Sequence, residues 1–276
     1  MQDLRIAMVQ MNSRVDEHER NLATIARFTE QAVAQNVDIV CFPELCVCGY
    51  SVGDPSTLEP EPLKGDSLRR LEEISGDHEI TVLAGFLERD VSGIVYNTQV
   101  ICGPRGYVGH YRKTHVPDVE IGTFCHGDAL PVFEHAKARY GIEICYDSHF
   151  PEVSTILAGK GAEVIFLPHA SPGENREEKR TRWMRYIPAR AYDNNVYVAI
   201  CNHVGDNGAG ICFSGVTFVC DPRGVVIAEV ESGTEEEMIV ADLRGSVLAE
   251  SRSVPETFFR HFRRPEMYRL WGISQI

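Results

Sequence analysis

The sequence lacks any apolar run of the roughly 20 residues that a membrane-spanning helix needs, so no transmembrane segment is expected. It also lacks a run of basic residues, and its formal net charge is −13. Both features disfavour nucleic acid or an anionic membrane surface as a partner. The first ten residues are interpreted as a strand rather than a signal peptide, because no apolar segment follows a basic start.

No Cys-x-x-Cys pair occurs among the nine cysteines, which are odd in number and scattered along the chain. This argues against a disulfide framework and against a structural zinc site, despite ten histidines. Cys41, Cys46 and Cys48 are close together but lack the spacing of metal ligands, so we interpret them as packing thiols. Reduced thiols predict a cytoplasmic protein, and no bound metal is expected.

No linker or low-complexity segment divides the 276 residues, and apolar strands alternate with amphipathic helices, which predicts one α/β domain over residues 1–276. Asp16 is expected to cap a helix over residues 17–35. The spacing of apolar residues predicts a single helix over 176–194. Four of its residues are expected to face inward: Trp183, Ile187, Ala191 and Tyr192.

The stretch of residues 141–152 joins a short β-branched strand to a helix that is expected to begin near Pro151. Cys145 lies at this strand-to-helix switch, where α/β proteins place reactive groups. The positive end of the following helix is expected to lower the pKa of the thiol. Taken alone, the stretch leaves two interpretations open, a nucleophile or a small buried residue.

Two other predicted strands end in charged residues. Glu44 follows the strand over 39–42, and Lys113 follows the strand over 106–111. A thiol nucleophile needs a general base, and acyl transfer needs a positive group where the oxyanion develops. Glu44 could equally cap a helix and Lys113 could be a solvated cation, because charged residues are mostly exposed. Spacing does not show that either converges with Cys145.

Three motifs follow one another in a characteristic order. They are Phe-Pro-Glu-Leu at 42–45 with Gly-Tyr at 49–50, Tyr-Arg-Lys-Thr-His-Val-Pro at 111–117, and the cysteine stretch at 141–152. Together they resemble the glutamate, lysine and cysteine motifs of the nitrilase superfamily of carbon–nitrogen hydrolases. The similarity extends from Arg5 to about Leu243 and includes Tyr-Asn-Thr at 96–98 and Ala-Arg-Ala-Tyr-Asp-Asn at 189–194.

The resemblance implies a four-layer α-β-β-α sandwich, usually dimerised through helices that flank the site, without a metal or organic cofactor. It implies that Cys145 attacks an amide or nitrile carbon and forms a thioester. Glu44 would transfer protons and activate water, while the Lys113 ammonium and the Tyr146 backbone N–H would stabilise the oxyanion. Glu120 occupies the place of a second glutamate that holds the lysine and positions the substrate.

The expected substrate is a small linear amide or an N-carbamoyl compound. Substrate contacts are predicted for Tyr50, Ser148, His149 and His169. Relatives that hydrolyse N-carbamoyl-D-amino acids have arginines where this chain has Ser148 and His149, which argues against a carbamoyl amino acid bound in their manner.

Glu143, within the strand before Cys145, needs a partner because an unpaired buried carboxylate is costly, and the sequence identifies none.

Three alternatives remain at this point: a nitrilase that forms the acid from a nitrile, a catalytically silent binding module on the same fold, and a metal-binding protein.

The C-terminal tail, residues 252–276, combines arginine with aromatic residues, a composition typical of interfaces. It is therefore predicted to pack on a neighbouring subunit of a homodimer or higher homo-oligomer, with a tail packed on its own core as the alternative.

Overall fold

Two six-stranded mixed sheets form the centre of the computed structural model, in which residues 1–52 and 58–269 are described. The strands, in chain order, are β1 (Leu4–Gln10), β2 (Ile39–Cys41), β3 (Thr81–Arg89), β4 (Val95–Gly103), β5 (Gly106–Arg112), β6 (Phe133–Glu134), β7 (Arg139–Ile142), β8 (Val164–Pro168), β9 (Tyr197–Cys201), β10 (Gly205–Asp206), β11 (Cys212–Phe213), β12 (Phe218–Cys220), β13 (Val226–Glu229) and β14 (Glu237–Leu243).

The first sheet has the order β14-β1-β2-β3-β4-β5, and the second has the order β13-β12-β9-β8-β7-β6. Parallel pairs lie in the middle of each sheet, β1 with β2 and β3 in one, and β7 with β8 and β9 in the other. Antiparallel strands complete both edges. The strands β10 and β11 pair separately.

Seven α-helices lie in the described part of the chain. They are α1 (His18–Val33), α2 (Asp66–Asp77), α3 (Pro151–Gly159), α4 (Arg176–Trp183), α5 (Ile187–Asn194), α6 (Gly245–Ser253) and α7 (Pro265–Arg269). Among the described residues, no helix has the length and apolar character to cross a membrane.

Side-chain alternation along the strands builds the layers. On β1, Ile6 and Met8 point into a core shared with residues of the second sheet such as Phe166. The intervening Ala7 and Val9 pack with α1 and α2 in a second core. A third core joins the outer face of the second sheet to α3 and α5. This α-β-β-α sandwich is the predicted fold, and both faces of each sheet are buried, as parallel strands require.

Three local predictions about helices were wrong. Asp16 adopts φ +60° and does not cap α1, whose N-cap is Glu17 without a side-chain hydrogen bond. The predicted helix over 176–194 is divided into α4 and α5, because Pro188 cannot continue the hydrogen-bond ladder of α4. Tyr192 is 44% exposed instead of facing inward.

The described part of the C-terminal tail packs on its own chain. The ring of Phe259 lies 5.4 Å from that of Tyr192 on α5. The guanidinium of Arg263 donates a hydrogen bond of 2.8 Å to the hydroxyl of Thr155 on α3. Trp271 lies outside the described residues. Packing on a second subunit stays a prediction.

Candidate active site

The candidate catalytic side chains identified by the three motifs follow the carboxyl ends of strands in both sheets. Glu44 comes three residues after β2, Lys113 directly follows β5, and Cys145 comes three residues after β7. Ala170 follows β8 by two residues. Because parallel strands end at the same edge of a sheet, this edge of the sandwich gathers groups that are far apart in sequence.

Glu44 is fully buried, and each of its carboxylate oxygens is hydrogen-bonded. Oε1 accepts hydrogen bonds from Asn97 Nδ2 at 2.7 Å and from Lys113 Nζ at 2.8 Å. Oε2 accepts one from the backbone N–H of Ala170 at 2.6 Å. Groups from β4, from the lysine segment (residues 111–117) and from the loop after β8 therefore fix the carboxylate in one position.

The backbone around Glu44 is also held tightly. Its carbonyl oxygen lies 2.6 Å from Nε2 of the buried His203. Leu45 has φ +50°, so the chain turns sharply after the glutamate. A Cβ at Gly85 would lie 2.5 Å from Leu45 N, so only glycine permits β3 to approach this turn so closely.

Lys113 is buried between two carboxylates. Besides Glu44, its Nζ donates to both oxygens of Glu120, at 3.0 and 2.8 Å. The hydroxyl of Tyr50 donates to Glu120 Oε1 at 2.9 Å. Burial opposes the charge of the ammonium, but Glu44 and Glu120 together raise the pKa of Lys113. Lys113 is therefore a protonated cation at neutral pH.

The pKa of Glu120 is raised, first because the carboxyl is buried and second because Glu44 repels its charge, while Lys113 opposes the shift. Glu44, Lys113 and Glu120 thus form one buried charged cluster. Two acids compensated by a single ammonium favour a state in which the cluster readily holds a further proton.

Cys145 begins a 3₁₀ turn over Cys145–His149 and has φ +47°, an uncommon backbone conformation for a residue with a side chain. The predicted strand, turn and helix are present, since β7 precedes this turn and α3 begins at Pro151. The residue is partly exposed at the surface of the site.

The prediction of a lowered thiol pKa was wrong. Burial raises the pKa of Cys145 well above its ordinary value, Glu44 and Glu120 add to the rise, and Lys113 opposes it. Burial is the largest cause, and the two carboxylates act in the same direction. The resting thiol is therefore protonated, so its chemistry requires a proton acceptor at the moment of attack.

Asp147 joins the lysine segment to the cysteine turn. Its Oδ1 accepts from Thr114 Oγ1 and from the backbone N–H of His115, each at 2.8 Å. Its Oδ2 accepts from the Tyr111 hydroxyl at 2.7 Å and from the N–H of Ile144 at 2.9 Å. These contacts hold the segments that carry Lys113 and Cys145 in a fixed relation.

The residues predicted to contact substrate lie at different depths. The Ser148 hydroxyl is buried and donates to the carbonyl of Cys145 at 2.6 Å. His169 is buried, with its ring 4.7 Å from that of Trp183 and Nε2 3.5 Å from Ser148 Oγ. His149 is exposed, and its ring lies 4.5 Å from that of Tyr186. Tyr50 is buried against Glu120.

Sequence reasoning gave no role to Asn97, Asp147, His203 or the Ala170 N–H. Asn97 offered one signal, since a buried amide side chain inside a strand needs a polar partner. Asp147 stood in the cysteine motif, but four of its five hydrogen bonds are made with Tyr111, Thr114 and His115, which are 32 to 36 residues away in the sequence. In the described part of the chain, no group of three or more His, Cys, Asp and Glu side chains is arranged to hold a metal ion.

The sequence is similar to a known protein family and to proteins of known name. A family model described as carbon–nitrogen hydrolase matches residues 5–253. A nitrilase of Pyrococcus abyssi is 32% identical, over 87% of this chain and 89% of the relative. An omega-amidase of Homo sapiens is 29% identical, over 97% of this chain and 98% of the relative.

The chain is also similar to a solved structure. It is an amidase from Nesterenkonia with 25% identity and a TM-score of 0.83, covering 97% of this chain and 99% of that one. In that amidase, acrylamide has added to the active-site cysteine by Michael addition.

Proposed function

The chain belongs to the carbon–nitrogen hydrolase family, and from this premise we propose that it hydrolyses small linear amides or N-carbamoyl compounds through a thioester on Cys145. Relatives named as amidases support an amide substrate. The observation that carries the proposal is the buried ammonium of Lys113, which lies 2.8 Å from a carboxylate oxygen of Glu44 and of Glu120, at the edge of the sandwich that also carries Cys145. One site thereby contains a nucleophile, a proton acceptor and a cation.

In the proposed acylation, Glu44 takes the proton from Sγ of Cys145 as the sulfur attacks the amide carbon. The carbonyl oxygen becomes negative, and the Lys113 ammonium and the Tyr146 N–H stabilise it. The C–N bond then breaks, and Glu44 returns the proton to the departing nitrogen. Ammonia or an amine leaves, and the acyl group remains on sulfur as a thioester.

Deacylation reverses these roles with water. Glu44 takes a proton from water as the oxygen attacks the thioester carbon, and the same two donors stabilise the oxyanion. The C–S bond breaks, the proton returns to the sulfur, and the carboxylic acid is released. Glu120 holds Lys113 throughout and positions the substrate. A protonated resting thiol suits this scheme, because Glu44 then has a proton to remove.

We also propose that His149 and Tyr50 contact the substrate. The ring of His149 lies 4.5 Å from that of Tyr186 at a tilt of 30°, and partial desolvation lowers its pKa, with Arg182 and Arg190 adding to the effect. A neutral imidazole would offer a hydrogen bond rather than a charge. Ser148 and His169 are buried, so they would line the deeper wall of the site behind the cysteine turn.

A nitrile substrate is the second candidate, favoured by the relative that is named a nitrilase. Ammonia release from linear amides, from their matching nitriles and from N-carbamoyl amino acids distinguishes the candidates. We expect the highest kcat/KM for an amide or carbamoyl compound. Higher kcat/KM for the nitriles would favour the second candidate, and full turnover by Cys145→Ala would contradict both.

We further propose that the protein forms a homodimer or higher homo-oligomer through α5 and the tail. Tyr192, Phe259 and Phe262 are large aromatic residues that are 44%, 37% and 61% exposed in the single chain. Such exposed aromatic surface is typical of interfaces. Sedimentation at micromolar concentration should detect a dimer, and a monomer would contradict the proposal.

The nine free thiols support a reducing, cytoplasmic location.

A further inference from the structure

Lys179 is a fully buried lysine that lies outside the proposed catalytic set. It is on α4, whose other charged residues are mostly at the surface. Its Nζ donates to the carbonyl of Ser171 at 2.9 Å, to Ser171 Oγ at 3.1 Å and to the carbonyl of Pro172 at 3.1 Å. An ammonium has three N–H donors, so one short loop uses all three.

The residues that Lys179 holds, Ser171 and Pro172, come directly after the residue that contacts Glu44. Ala170 donates its N–H to Glu44 Oε2, and Ser171 is the next residue along the chain. Asn202 binds Ser171 from the other side, accepting from its N–H at 2.9 Å and donating to its carbonyl at 3.1 Å. Lys179 and Asn202 therefore fix both peptide groups of Ser171, and a displacement there would move the Ala170 N–H.

The surroundings of Lys179 show why the loop is its main partner. The nearest carboxylate oxygen is Glu174 Oε2 at 3.8 Å, and Glu174 is already bound by Arg182 at 2.8 Å. Burial lowers the pKa of Lys179 to about 8, Arg182 lowers it further, and Glu174 and Cys145 oppose the shift. A buried cation that lacks a close counter-ion is costly, so its retention needs a reason.

We propose that Lys179 is a positioning residue for the reaction, because it fixes the 170–172 loop and thereby the hydrogen bond from Ala170 to Glu44. The inference rests on the proposed function, in which Glu44 transfers the proton of the nucleophile. Lys179 does not touch the substrate in this role. Its loss should therefore slow proton transfer without weakening substrate binding.

The test substitutes Lys179→Met, which preserves the length of the side chain and removes its three donors. Because small displacements of catalytic groups slow reactions strongly, we expect kcat for a linear amide to fall by about tenfold or more, with KM within about threefold of wild type. Lys160→Met is the control. Lys160 is exposed at the end of α3, and its Nζ donates to the Leu130 carbonyl, so its loss should leave kcat unchanged.

A second measurement reports on proton removal by Glu44. The rate constant for alkylation of Cys145 by iodoacetamide reports removal of the thiol proton, and it should fall in Lys179→Met. If the Met variant fails to fold by circular dichroism, Lys179→Leu, which also lacks the donors, is compared instead. Wild-type kcat in the folded variant, or a loss confined to KM, would overturn the positioning role.

The Glu44→Gln variant separates this inference from the proposed function. Alkylation at the wild-type rate in Glu44→Gln would refute Glu44 as the proton acceptor and with it the proposed function. Slow alkylation in Glu44→Gln combined with wild-type alkylation in Lys179→Met would refute the role of Lys179 alone.

Discussion

The ammonium nitrogen of Lys113 lies 2.8 Å from Oε1 of Glu44, and neither side chain has any solvent exposure. These residues are 69 positions apart in the sequence, since Glu44 follows β2 in the interior of the first sheet and Lys113 follows β5 at its edge. Buried pairs of this kind contribute little net stability when intact, because desolvation offsets attraction, but breaking one leaves an uncompensated charge. The proposed function therefore accounts for the pair better than a contribution to stability does.

Removing the cation gives the first prediction. Lys113→Met leaves two buried carboxylates without a counter-ion, so the free energy of unfolding should fall by about 3–5 kcal/mol and turnover should be lost. Urea unfolding and ammonia release measure the two effects. The control is Lys137→Met, which removes a partly exposed pair with Asp38 and should cost at most about 1 kcal/mol. Equal losses in both variants would contradict the account.

Asp147 gives the second prediction. Asp147→Asn replaces an acceptor oxygen with an amide donor where all the neighbours donate, so the lysine segment and the cysteine turn should separate. We expect a loss of about 1–3 kcal/mol in unfolding free energy and a clear fall in kcat. Asp242→Asn, which alters an exposed pair with Arg5, is the matched control. Wild-type kcat in Asp147→Asn would show that the two segments are held by other means.

Glu143 gives a prediction about pH. Its carboxyl is fully buried, Oε1 accepts from Ser154 Oγ at 2.6 Å, and Oε2 has no hydrogen-bond partner. Burial raises the pKa of Glu143 from its ordinary 4.5 to about 8. In that interval the folded protein retains a proton that the unfolded chain releases, so stability should fall as pH rises, by up to about 1.4 kcal/mol per pH unit.

The Glu143→Gln variant lacks this group and should not show that part of the decline. Urea unfolding of both proteins between pH 5 and 8 measures the difference in slope. Parallel stability curves would mean that Glu143 ionises normally in the folded state.

His169 should have the opposite dependence. Burial lowers the pKa of its imidazole to about 3, although the Leu167 carbonyl opposes the shift. Between pH 6.5 and 3 the unfolded chain binds a proton that the folded protein excludes, so wild-type stability should fall as pH falls. His169→Gln should lose less stability over the same range in thermal or urea unfolding. A wild-type curve no steeper than that of the variant would count against a buried neutral imidazole.

The resemblance to the nitrilase superfamily implied the sandwich and identified the three motif residues, whereas periodicity and composition alone predicted only one α/β domain. Glu44, Lys113 and Cys145 each follow a predicted strand, and the order of the three motifs identified these positions. The contacts that orient them were not predictable in this way. The Ala170 N–H and His203 reach Glu44 only because the register between separate strands brings them there.

The errors have similar physical causes. The pKa of Cys145 depends on how many carboxylates surround the thiol, which is a property of the assembled site. The division between α4 and α5 depends on Pro188, whose effect on the hydrogen-bond ladder was outweighed by apolar spacing in the prediction. Tyr192 is exposed in the single chain although its spacing matches an inward face.

Intact-mass spectrometry tests the central claim most directly. Wild-type protein mixed with a linear amide that it hydrolyses, and quenched in acid during turnover, should gain the mass of the acyl group on one residue. Peptide mapping should identify Cys145 as that residue, and Cys145→Ala should show neither adduct nor turnover. An adduct on another residue, or turnover by Cys145→Ala at the wild-type rate, would contradict the thioester mechanism.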